Sequence, residues 1–247
     1  FTYLVTANMY PAFLIYSWGY AAITENSPIV PQNIFFDFLV LFPFWWMLVF
    51  TAQLILFVLL FDLIRLIIFP FTRKIREKIF KVESYVVFVL VIFFLPYVPF
   101  RFWYDYQNIS LNKVEMPVKN LPVELKNFKI VFISDTQADR YTNDARLSEF
   151  VSIINSLNAD LVLVGGDIIT STPDYIPAGA KYLGNIKSRC GVYSCVGDHD
   201  NWAYRNDFER SRSEVKFALL KNNVRMLDNE SLMIPLKDFK LFLSKNC

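Results

Sequence analysis

Long uncharged stretches constrain this chain more than any other feature of its sequence. Residues 1–24 contain no Asp, Glu, Lys or Arg, and neither do residues 38–61 or 84–100. About 20 apolar residues in a helix cross a hydrocarbon core of roughly 30 Å, so each stretch is a candidate span. Residues 39–59 are apolar on every side, too long and too uniform for an ordinary buried helix. The third stretch extends through Phe102, Trp103 and Tyr104, an aromatic cluster suited to a membrane interface. The first is interrupted by Thr6, Asn8, Pro11, Ser17 and Gly19, and reads either as a span packed on neighbours or as an interfacial segment. No basic region precedes it, which argues against a cleaved signal peptide.

Charge divides the chain near residue 105. Residues 1–104 hold seven basic and five acidic residues, whereas the remaining 143 positions hold 18 of each sign. The second density is that of an ordinary soluble domain. We therefore expect a transmembrane anchor over 1–104, of two to three helices at about 1–24, 36–61 and 84–104, and a separate domain over 105–247. The +2 formal charge resides wholly in the first part. It gives no reason to expect a nucleic-acid partner.

Most of that charge lies in the run Arg73-Lys74-Ile75-Arg76-Glu77-Lys78-Ile79-Phe80-Lys81, between the second and third stretches. Residues 25–33, between the first and second, contain no Lys or Arg. Basic residues near span ends remain cytoplasmic, so the 73–81 loop is expected inside and the domain after Tyr104 on the extracytoplasmic side. Asp37 and Asp62 lie near span ends, and no ionisable residue marks a transport pathway at mid-membrane. Asp62 and Arg65, three apart, are expected to pair.

Strand and helix patterns alternate in the second part. Residues 128–134, 161–164 and 192–197 are short apolar runs of strand type. Residues 143–158 are amphipathic at helical spacing, a weaker helix covers about 175–187, and 209–222 is helical. Short strands follow near 224–227, 231–234 and 240–243. Such alternation implies a layered α/β fold with parallel strands at its centre. Cys190 and Cys195 could bridge in an oxidising compartment, but free thiols are the competing reading.

Asp135 follows the first strand, Asp167 the second, and Asp198-His199-Asp200 the third. Carboxyl ends of parallel strands line the ligand crevice of an open α/β sheet. Converging carboxylates repel unless something positive compensates, and divalent cations do so. Carboxylates suit Mn²⁺ or Mg²⁺, while imidazole brings in Zn²⁺ or Fe. The competing reading for each Asp is a cap on the following helix.

Ser134-Asp135-Thr136-Gln137, Gly165-Gly166-Asp167 and Gly197-Asp198-His199-Asp200, in this order, resemble the motifs of the calcineurin-like metallophosphoesterases. Leu121-Pro122, the 128–134 run and Gly191-Val192-Tyr193 resemble their membrane-associated bacterial branch. The resemblance covers about residues 121–234. It implies a metallophosphoesterase-type layered α/β sandwich, two divalent metal ions (Mn, Fe or Zn), and hydrolysis of a phosphomonoester or phosphodiester. By the same resemblance Asp135 and Gln137 would bind one metal, Asp167 would bridge both, Asp198 would bind the second, and His199 would act at the phosphate.

Departures accompany the likeness. Gln137 stands where the family has a histidine, and Asp198 where it has an asparagine. The family's later histidines have no counterpart, because His199 is the only histidine in the chain. The chain opens on Phe1 and stops at Cys247 within a strand pattern, so the domain is expected to be incomplete. The expected partners are a lipid bilayer and a phosphorylated small-molecule or lipid-linked substrate. The alternative is a truncated or degenerate homologue, a membrane-bound structural or binding module without catalysis.

Overall fold

The computed structural model describes residues 2–24, 31, 33–204, 206–236 and 239–244. The chain divides into two compact units, Phe1–Asn112 and Lys113–Cys247. Most of the 25–33 connection and the tail at Cys247 lie outside the described residues.

The first unit is helical. Helix α1 is Thr2–Thr24, with Pro11 inside it. The short α2, Ile34–Phe36, is capped by the Asn33 side chain and leads through a π-helical turn, Asp37–Leu41, into α3, Phe42–Ile68. After 3₁₀ turns at Phe69–Phe71 and Arg73–Ile75, α4 runs from Arg76 to Gln107, with Pro96 and Pro99 inside. Two continuous helical stretches, Ile34–Phe71 and Arg76–Gln107, are long and apolar enough to cross a membrane. Their apolar side chains point outward: Leu56 is 67% exposed, Leu66 74% and Phe88 60%. A water-soluble protein rarely shows so much contiguous apolar surface, whereas lipid suits it.

Helix α4 begins eight residues before the uncharged stretch expected as the third span. Most of the basic run expected as a loop forms its first turns. Arg, Glu and Lys are good helix formers, and Glu77 in the first turn complements the positive end of the helix dipole. Helix α3 likewise continues past Asp62 and Arg65, which form the expected ion pair. Arg65 also reaches Glu83 of α4 at 3.4 Å. Rings pack between helices, with Tyr10 5.0 Å from Phe44 and Phe57 5.7 Å from Phe94. Asp37, at the head of the π turn, is buried.

The second unit is α/β. In chain order it comprises β1 (Ile130–Ile133), α5 (Asp144–Ser156), β2 (Leu161–Val164), α6 (Ile176–Gly184), β3 (Val192–Cys195), α7 (Phe208–Lys221), β4 (Val224–Leu227), β5 (Ser231–Leu236) and β6 (Phe239–Ser244). Strands β1 to β4 form one parallel sheet in sequential order, and β5 and β6 form an antiparallel pair. Every element expected from the sequence is present, with ends shifted by a few residues.

Each helix buries the face its spacing defines: Leu147 and Ile154 on α5, Ile176, Ala180 and Leu183 on α6, Val215 and Leu219 on α7. They close over Val162, Val164, Val192, Val224 and Met226 of the sheet. A fully buried side chain of this size contributes about 1.5–3 kcal/mol. The other face of the sheet carries Phe132, Leu163, Tyr193 and Arg225, aligned one against the next across the four strands. Phe132 in that row is 68% exposed. Cys190 and Cys195 are both free thiols, so the disulfide alternative is not realised.

Candidate metal centre

Strands β1 and β2 end side by side, and the loops that follow remain joined. The Asp135 amide donates to the Gly166 carbonyl at 3.3 Å, the Gln137 amide to Asp167 at 2.9 Å, and the Ala138 amide to Ile168 at 2.7 Å. The first two motifs are therefore adjacent through their main chains. Asp135, Gln137 and Asp167 have φ values of 58°, 41° and 55°. Left-handed backbone is uncommon outside glycine, and its clustering at three candidate ligands has the pattern of a functional site.

The third motif docks on the second through Asp200. This carboxylate is fully buried. It accepts from the amides of Asp167 at 3.1 Å, Ile168 at 2.8 Å and Gly197 at 3.0 Å. Burial pushes its carboxyl above the usual carboxylate range, against the pull of its backbone donors. In return, the His199 amide donates to Asp167 Oδ1 at 2.9 Å.

Two glycines make that approach possible. A Cβ on Gly197 would lie 2.1 Å from Asp167 Oδ1, and one on Gly166 would lie 2.5 Å from the Gly197 nitrogen. Gly166 also has φ 88°, which only glycine adopts freely.

The His199 ring is oriented by a 2.6 Å contact from Nδ1 to the Thr170 carbonyl. A carbonyl only accepts, so Nδ1 carries the proton and Nε2 is left for other chemistry. The ring of Trp202 lies 4.6 Å from the imidazole.

None of the three aspartates caps an α-helix. Asn143 caps α5, and α6 starts nine residues after Asp167 with no side-chain cap. Asp198 precedes the 3₁₀ turn His199–Trp202 without capping it, and is exposed. Asp135 is exposed too and accepts a hydrogen bond from the Ser134 hydroxyl.

Sequence reasoning assigned no role to Asp200 or Asp139. Asp139 accepts from the amides of Tyr141 and Thr142 and from the Thr170 hydroxyl, bracing the segment that orients His199. The available signal is spacing alone: each carboxylate lies two residues beyond a candidate ligand, Asp139 after Gln137 and Asp200 after Asp198.

Asp135, Gln137, Asp167 and Asp198 supply oxygen donors suited to hard or intermediate divalent cations. Among the described residues, however, no three His, Cys, Asp or Glu side chains are grouped to hold a metal ion. The donors present therefore do not by themselves fit a complete dinuclear centre.

A parallel sheet with carboxylates and one oriented imidazole at its strand ends, preceded in sequence by two long apolar helices, is consistent with a metallophosphoesterase fold. Residues 128–243, within the second unit, match the model of the calcineurin-like phosphoesterases.

Among curated proteins, the chain is similar to a transmembrane protein with metallophosphoesterase domain from Danio rerio, 36% identical over 87 residues, 35% of this chain and 20% of that protein. Its Bos taurus counterpart is 31% identical over 129 residues, 52% of this chain and 28% of that protein. A UDP-2,3-diacylglucosamine pyrophosphatase of Chlamydia trachomatis is 29% identical over 106 residues, 41% of this chain and 32% of that protein. The chain thus spans a third or less of these relatives. No solved structure matches it significantly.

Proposed function

We propose that this chain belongs to a membrane-anchored, metal-dependent phosphoesterase that hydrolyses a phosphate ester on a lipid-linked or envelope substrate. The observation that carries the reading is the junction of Asp167, His199 and Asp200, where two strand-end loops are bonded together around a left-handed Asp and an imidazole of defined tautomer. In this reading His199 Nε2 would hold a phosphate oxygen or exchange a proton with the leaving group. Asp135, Gln137, Asp167 and Asp198 would supply part of a two-metal site for Mn, Fe or Zn, with further ligands from outside the described residues. Such ions when bound polarise phosphorus and activate water.

The lipid-linked substrate is supported by the long apolar helices and by the name of the chlamydial relative, whose substrate bears acyl chains. The basic run at 73–81 supports an extracytoplasmic phosphoesterase domain. Activity at Cys247 of a fused reporter that works in the cytoplasm alone would overturn that orientation.

Metal analysis of the full-length protein, paired with turnover of an aryl phosphodiester before and after chelation, tests the reading. Bound divalent metal and chelator-sensitive turnover are expected. A metal-free protein without turnover would support the second reading, a non-catalytic binding module, which the lack of a three-residue metal group among the described residues favours.

A further inference from the structure

A cleft of about 310 Å³ opens between the end of α3 and the start of α4. Its walls are apolar, built chiefly from Phe61, Ile64, Ile68, Ile79, Val82 and Val86, with Arg65, Glu83 and Lys78 as the charged members. The charges do not play equal parts. Arg65 is committed within the unit, paired with Asp62 and Glu83, and its guanidinium lies 5.2 Å above the Phe80 ring. Arg76 is committed to the turn, over the Phe69 ring at 3.5 Å and donating to the Phe69 carbonyl at 3.2 Å. Lys74, Lys78 and Lys81 are exposed and form no ion pair among the described residues. Of these three, Lys78 lines the cleft. Residues 73–81 hold five basic residues against one acid, Glu77.

An apolar slot between two membrane-length helices, with an unpaired ammonium at its rim, matches one ligand chemistry. The slot takes a hydrocarbon chain, and the ammonium takes a phosphate. We propose that this cleft binds an anionic phospholipid, with an acyl chain against Ile64, Ile68, Ile79 and Val82 and its headgroup phosphate at Lys78. A free phosphate would gain nothing from the apolar walls, and a zwitterionic lipid gains less from the excess of lysines. Each lysine near a charged membrane surface is worth about fivefold in partition. The site stands apart from the phosphoesterase reading, and neither depends on the other.

The test uses the full chain in detergent, equilibrated with equal amounts of phosphatidylglycerol and phosphatidylcholine, with retained lipid counted by native mass spectrometry. Retention of phosphatidylglycerol over phosphatidylcholine is expected. Lys78→Gln should reduce it about fivefold, whereas Lys74→Gln, the same charge change away from the cleft, should reduce it less. Ile79→Trp should exclude the lipid by filling the slot. Equal retention of the two lipids, or equal losses in Lys78→Gln and Lys74→Gln, would overturn the proposal. So would displacement of the bound lipid by inorganic phosphate at matched concentration. The two lysines are exposed, so their comparison stands even where Ile79→Trp perturbs packing.

Discussion

The buried Asp200 carboxylate holds the main-chain amide of Asp167 at 3.1 Å, so the third motif fixes the conformation of the second. Asp200 therefore acts through backbone, while Asp135 and Asp198 point to solvent from neighbouring loops. The same residue type serves opposite purposes within one site.

Asp200→Ala is expected to cost about 3–5 kcal/mol. It leaves three amides without an acceptor, at about 1–3 kcal/mol each before relaxation. Asp198→Ala, at an exposed position, should stay within about 0.5 kcal/mol, whereas Asp135→Ala, on left-handed backbone that alanine adopts less readily, should cost about 1 kcal/mol. Denaturant unfolding of the three variants side by side makes the comparison.

Gly197→Ala should damage both folding and the site. The new methyl would fall 2.1 Å from Asp167 Oδ1 and 2.3 Å from its nitrogen, and a backbone atom cannot swing aside. Overpacking of this kind costs about 1–3 kcal/mol or more. A crystal structure of the variant should show the Asp167 carboxylate displaced.

His199→Gln tests the role of the imidazole. Loss of a general acid or base lowers turnover by about 10²–10⁴. The His199 contact to Asp167 is made by its main-chain amide and persists, so only the ring's bond to Thr170 is lost and unfolding free energy should fall by about 1 kcal/mol. Kinetics and thermal unfolding measured on one preparation separate the two effects.

Stability should also carry a small acid-side dependence from Glu230. A hydrogen bond from Lys216, aided by Arg225 at 3.7 Å, holds its carboxyl below the ordinary value. The folded pKa is depressed, so this contribution is present above about pH 4.3, the unfolded value, and is lost as pH falls through the folded one. Both side chains are solvated, so the effect is modest. An NMR titration should find Glu230 returning toward the ordinary value in Lys216→Ala.

Much of this architecture was legible in the sequence because its signals are local. Residues 161–164 are an apolar run and 224–227 an apolar run broken only by Arg225, each bounded by polar turns, and they form strands over just those spans. The three Asp-bearing strand ends were legible for the same reason. Asp200 and Asp139 were not, since the bonds that join separate loops, to Asp167 and Ile168 from Asp200 and to Thr170 from Asp139, span about 30 residues and depend on how those loops dock. The start of α4 was missed because a basic run between two apolar stretches reads as a loop, although its residues favour helix.

Asp167 would bridge the two metal ions of the proposed centre. Turnover of an aryl phosphodiester by the full-length protein and by Asp167→Ala, each with its bound metal quantified, is the decisive measurement. Metal content and turnover are expected to fall together to background. Unchanged turnover in Asp167→Ala would contradict that role.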